Sequence, residues 1–225
     1  MSAPEGMSYA RGMSSEAGEK RKVDISGSVE VRWFLPGEPG PVLQRLFEDA
    51  KRESARMDLY FATGRADLGF KARQEQGKPT KLETKYLLGS IGTVELAAGV
   101  VGRVERWQKI SVEADATELD RRKDWLKVTK LRALRKLSWN DGAVGEVEVD
   151  GPRPDAGANV ELTVLGGDDR VRGYTVGIEA FGSSRHELSI VQSVARQVFA
   201  EELDLGLLDS NSMSYPCWHE RLLLP

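Results

Sequence analysis

The stretch Leu68–Gly89, LGFKARQEQGKPTKLETKYLLG, constrains the chain most. It reads as two strands joined by a polar turn. A period of two puts Lys71 and Arg73 on one face of the first strand, with Phe70 and Ala72 on the other. In the second strand Glu83 and Lys85 share one face, and Leu82, Thr84 and Tyr86 the other. Charge of both signs therefore occupies one side of a hairpin whose opposite side is largely apolar.

The pattern recurs along the chain. Ser28–Leu35 reads as a strand with Val29, Val31, Trp33 and Leu35 facing one way and Ser28, Glu30 and Arg32 the other. Met57–Thr63 is a second strand. In Val104–Val112, Glu105, Trp107 and Lys109 share a face. In the basic strand Lys127–Trp139, Lys130 and Arg132 do. Asn140-Asp141-Gly142 is a hairpin turn leading into Glu146–Val149. Val160–Leu165 and Tyr174–Phe181 form a further hairpin, with Glu161 and Glu179 opposite apolar sets. Three helices are expected: Pro41–Arg56, Ala114–Trp125, and Arg185–Glu202 opened by a capping box of Ser184 and Glu187. Leu88–Gly102 is Gly-rich and takes no clear period. Met1–Lys22 lacks any apolar period and reads as a disordered leader before a single domain over 23–225. The tail Ser214–Pro225 is apolar enough to pack back.

About eight strands with short helices between them predict an α+β fold, an antiparallel β-barrel or tunnel with flanking helices. The charged faces then point either to water, as on most half-buried sheets, or into a lumen. Two features favour a lumen. Lys or Arg and Glu repeat at matched spacing, and the large apolar residues concentrate on the opposite face, where the helices would pack. The chain is acidic overall, with net charge −3, yet Leu126–Ser138 carries five Lys or Arg and no acid. Concentrated positive charge on an acidic chain excludes broad nucleic-acid binding and suits a small, strongly anionic ligand. Arg grips phosphate oxygens bidentately, and Mg²⁺ or Mn²⁺ takes carboxylate oxygens and bridges phosphates. No apolar run approaches the length of a membrane helix, so no membrane is expected as a partner. The single Cys217 fits a cytoplasmic location.

In order and spacing, VEVRWF, DLYF followed by LGFKAR, LETK, VERWQK, KVTKLRALRK, VELTVL and VGIEAFG resemble the CYTH superfamily, the triphosphate tunnel metalloenzymes. The likeness covers roughly residues 23–181 and is nearest to uncharacterised CYTH-like proteins. It implies an eight-stranded antiparallel tunnel. Members hydrolyse inorganic triphosphate, thiamine triphosphate or RNA 5′-triphosphate ends, or cyclise ATP. The resemblance implies phosphate binding by Arg32, Lys71, Arg73, Lys85, Lys109, Lys130 and Arg132. It implies a divalent metal, Mg²⁺ or Mn²⁺, at Glu30, Glu161 and Glu179. Two departures stand out. The family's first strand bears E-x-E-x-K, where this chain has Ser28, Glu30 and Arg32. The late strand's E-x-E falls on Gly177 and Glu179. The cationic set matches, while the carboxylate set is thinner.

Other candidate sites are weaker. Gly77-Lys78-Pro79-Thr80 lacks the upstream Gly of a P-loop. His186 reads as an exposed residue in the first turn of a helix. In Cys217-Trp218-His219, packing of Trp218 is the better reading than a nucleophile pair. Two His and one Cys do not supply a zinc site. Glu146 and Glu148 fit a solvated strand face. The expected function is a metal-dependent phosphohydrolase acting on a triphosphate-containing small molecule or polyphosphate, with the catalytic residue unassigned. A non-catalytic nucleotide- or polyphosphate-binding module is the alternative, and a structural β-domain the third reading.

Overall fold

The computed structural model describes residues 23–114, 125–167, 171–182, 185–200 and 205–223. These residues form β1 (Val23–Leu35), α1 (Pro41–Leu46), β2 (Lys51–Arg52), β3 (Arg56–Phe61), β4 (Leu68–Gln74) and β5 (Thr80–Ala97). Then come β6 (Val100–Ala114), β7 (Trp125–Asn140), β8 (Ala143–Val147), β9 (Gly157–Gly167), β10 (Gly173–Phe181), α2 (Glu187–Val198) and α3 (Tyr215–Leu223). Hydrogen-bonded neighbours run β7-β3-β4-β5-β6-β1-β10-β9, and β9 pairs back onto β7. All pairings are antiparallel, so eight strands close into a barrel of the expected α+β class. β2 and β8 add short pairings to β7. No helix among the described residues is long and apolar enough to cross a membrane.

Strand alternation sets what the barrel encloses. On β1, Val29, Val31 and Trp33 face outward and are buried beneath α1 and α2, together with Val160, Val176 and Ile178 of β9 and β10. The α2 residues Ile190, Val191, Val194, Ala195 and Val198 complete this dry layer. Gly102 makes room for it, because a Cβ there would come within 2.7 Å of the Trp33 ring. The other β1 register, Ser28, Glu30 and Arg32, faces the lumen. One end of the lumen is closed by apolar contacts. Phe34, Tyr60, Leu126, Val128 and Leu165 pack with Met213 and with Tyr215 and Trp218 of α3. Trp218 stacks on Phe34 with ring centroids 4.9 Å apart.

Several expected boundaries move for physical reasons. The helix expected over Pro41–Arg56 stops at Leu46, although Leu43, Phe47 and Ala50 of its stripe are still buried. Lys51 and Arg52 instead pair with Leu134 and Ala133, and Glu53 N–H bonds the Arg132 carbonyl at 2.9 Å. Unpaired backbone groups on β7 are satisfied this way. Leu88–Gly102 belongs to β5 and β6. Register shifts between Leu87 and Gly89, Ser90 and Gly92, and Glu95 and Ala97 break its alternation, as bulges do. At the turn after β7, Asp141 and Gly142 take positive φ of 47° and 95°, the conformation the Asn-Asp-Gly sequence favours. α2 begins at Glu187 with His186 at its N-cap, and the Glu187 carboxylate accepts from Arg106 Nε at 3.1 Å. Of the helix expected over Ala114–Trp125, the two end residues belong to β6 and β7; its residues 115–124, the leader 1–22 and Ser184 lie outside the described residues.

Candidate functional site

All eight barrel strands deliver charge to one lumen. Arg32, Lys71, Arg73, Lys85, Lys109, Lys130, Arg132, Glu30, Glu161 and Glu179 all line a single cavity. Its water-accessible volume is about 100 Å³. Arg56, Tyr60, Glu83 and Tyr215 line it as well. The lining thus holds eight cationic side chains and four carboxylates. A wider cleft between α1 and β8 carries two surface ion pairs, Lys51 with Asp150 and Arg135 with Glu146.

The deepest part is built on Asp58, which is fully buried. Its Oδ2 lies 2.9 Å from both Lys71 Nζ and Lys130 Nζ. Its Oδ1 lies 3.6 Å from Arg56 Nε and 3.7 Å from Arg73 Nε, too far for hydrogen bonds. Lys130 Nζ also donates to the Tyr60 hydroxyl at 2.6 Å and sits 3.6 Å from the Tyr215 ring centroid. Glu83 accepts from Lys71 and Arg73, each at 3.1 Å. Side-chain exposure rises from 2% at Lys130 through 17% at Lys71 to 29% at Lys85.

These environments shift the titrations. Burial pulls Lys130 down to about 7, and Asp58 only partly offsets it, with Arg56 adding to the lowering. Burial likewise lowers Lys71 to about 8 against the pull of Asp58 and Glu83. Burial would raise Asp58, but Lys130, Lys71, Arg56 and Arg73 together hold it well below the usual carboxylate range. Glu83 is pulled to about 2, because Lys71, Arg73 and Lys109 outweigh its burial.

On the opposite wall Glu30 is the register partner of both Glu179 and Glu105. Its Oε1 accepts from the Ser28 hydroxyl at 2.6 Å, and its Oε2 pairs with Lys85. Glu161 pairs with Arg32 through Oε1 at 2.5 Å and with Arg132 through Oε2 at 2.9 Å. Arg132 also donates to Glu53 at 2.5 Å. Arg32 lies across Gly177, its register partner: a Cβ at 177 would stand 2.8 Å from the guanidinium carbon.

The divalent metal implied by the resemblance does not fit this arrangement. Both oxygens of Glu30 and both of Glu161 are engaged by donors, and a guanidinium fills the space above Gly177. Among the described residues no three His, Cys, Asp or Glu side chains gather as metal ligands. Glu30, Glu161 and Glu179 share the cavity without forming a carboxylate cluster with one another. Glu179 alone of the lining carboxylates has no ion-pair partner among the described residues.

Asp58, Arg56 and Tyr60 are absent from the sequence-derived set. Alternation in RMDLYF does place them on one face, but that strand reads as mostly apolar. Nothing in the periodicity of the tail signals that Tyr215 lines the lumen.

No family model matches the chain, and no curated protein matches it. Among solved structures it is similar to a conserved hypothetical protein from Pyrococcus furiosus, with 16% identity over 87% of this chain and 99% of that one and a TM-score of 0.47. It is likewise similar to the PH1012 protein from Pyrococcus horikoshii OT3, with 16% identity over 81% and 99% and a TM-score of 0.46.

Proposed function

We propose that the barrel lumen binds the phosphate chain of a triphosphate or polyphosphate compound. The observation that carries this reading is the lining of one cavity by eight cations against four carboxylates. A surplus of buried positive charge is costly unless an anion completes it. Arg guanidinium groups match phosphate oxygens in geometry, and lysines add point charge. The resemblance to the CYTH superfamily points to the same ligand class. The ion pairs of Glu161 and Glu83 hold Arg32, Arg132 and Arg73 in place before ligand arrives, which lowers the ordering cost of binding.

A phosphohydrolase acting on the same compounds is the second reading. Glu30 and Glu179 are register partners within the lumen, and Glu179 has no ion-pair partner among the described residues. One experiment separates the readings: a thermal-shift panel of tripolyphosphate and nucleoside triphosphates, run alongside phosphate release. A shift without phosphate release supports a binding module, and a shift with release supports a hydrolase. Arg73→Ala or Arg132→Ala should weaken binding by about 1.5–3 kcal/mol, the range for a charge-assisted contact. No shift with any triphosphate, or affinity untouched by both substitutions, overturns the assignment.

A further inference from the structure

The lumen acids are arranged as counter-ions to its bases. Glu30 spends one oxygen on Ser28 and the other on Lys85. Glu161 spends one on Arg32 and the other on Arg132. Glu83 and Asp58 each serve two cations at 3.1 Å or less. A divalent ion would have to strip these contacts, because Mg²⁺ demands carboxylate oxygens at close octahedral distances. It would also add positive charge to a lumen where cations already outnumber the acids, Asp58 included.

The two positions where carboxylates were expected make the point locally. Ser28 contributes a donor to Glu30 instead of a second acid. Gly177 contributes open space, and the Arg32 guanidinium occupies it, with nitrogens 2.8 and 2.9 Å from where a Cβ would be. Arg at 32 and Gly at 177 are therefore one paired change: the guanidinium lies there because the neighbouring strand has no side chain. Lys109, also in the lining, has no ion-pair partner among the described residues.

We propose that the lumen takes the free polyphosphate chain rather than its magnesium complex, with the Arg32 guanidinium standing in for a resident divalent ion. This rests on the polyphosphate reading given above. A complexed chain has part of its charge already neutralised and some oxygens already coordinated, so it offers less to Arg32, Arg132 and Lys109.

The test is calorimetric titration of the full chain with sodium tripolyphosphate, once in EDTA and once with Mg²⁺ in excess over the ligand. Saturable binding in EDTA is expected, with affinity about tenfold weaker when Mg²⁺ is in excess. Higher affinity in EDTA than in Mg²⁺ supports the proposal, and equal affinity overturns it. Tighter binding with Mg²⁺, or binding only with it, overturns the proposal and leaves the polyphosphate reading standing. No binding in either buffer overturns both.

Discussion

The two faces of β1 are both sheltered from water and chemically opposite. Outward, Val29, Val31 and Trp33 are at most 1% exposed, in a dry layer under α2. Inward, Glu30 and Arg32 sit among ion pairs, and Arg32 is 9% exposed. The outer layer is held by shape and volume, since every atom there gains from dispersion and from leaving water. The inner layer is held by charge balance, since each ion was stripped of water and is tolerated only because of its partners. Burial alone therefore does not say what a position will accept.

Substitutions can sharpen or break that contrast. Trp33→Ala should cost the most, about 4 kcal/mol in chemical denaturation, because it opens a large cavity under α2. Its tripolyphosphate affinity should match the unaltered chain once folded; a loss of affinity would mean that the faces are not independent. Asp58→Asn keeps volume and removes charge, and should still cost about 3 kcal/mol, because Lys130 and Lys71 lose their shared acid. Saturating tripolyphosphate should recover part of that loss. A neutral effect would show that the lumen tolerates unbalanced cations.

The smallest effect is on pH. Lys130 and Lys71 titrate near 7 and 8 when folded, below their ordinary 10.5. Between those values the unfolded chain holds protons the folded chain has released, so stability rises with pH. The groups facing them do not titrate in this window: Asp58 and Glu83 are lowered and Tyr60 is raised. A gain in stability between pH 7 and 9 is expected by urea unfolding. Lys130→Met should remove most of it. A flat or falling profile in the unaltered chain would mean that both lysines stay charged.

Much of the barrel was legible because period-two alternation survives wherever strands are regular. In β1, β4, β6 and β7 it places Arg32, Lys71, Lys109 and Lys130 in one lumen. It fails in β5 beyond Leu87, where register shifts flip the faces. It also fails at Ala50–Arg52, where local helical spacing loses to the pairing demand of β7, a tertiary effect no local window contains. The cation set was readable because cations at matched spacing leave a pattern. Asp58 was not, because a lone acid in an apolar strand looks like a surface residue until four cations from three strands converge on it. The exchange of Arg32 with Gly177 was half legible: both departures were visible, while the contact joining them requires β10 beside β1.

Barrel closure also has a consequence in time. β1 is hydrogen-bonded to β10, with Val29 opposite Ala180. On a ribosome, roughly 8–30 s separate the making of these two residues. Through that interval β1 is a strand with one apolar face and no final neighbour, the condition that invites off-pathway pairing. The nascent chain can complete local hairpins such as β4–β5 at once, but the ring waits for Phe181. Synthesis speed and chaperone occupancy should therefore govern the yield of this protein more than its final stability does.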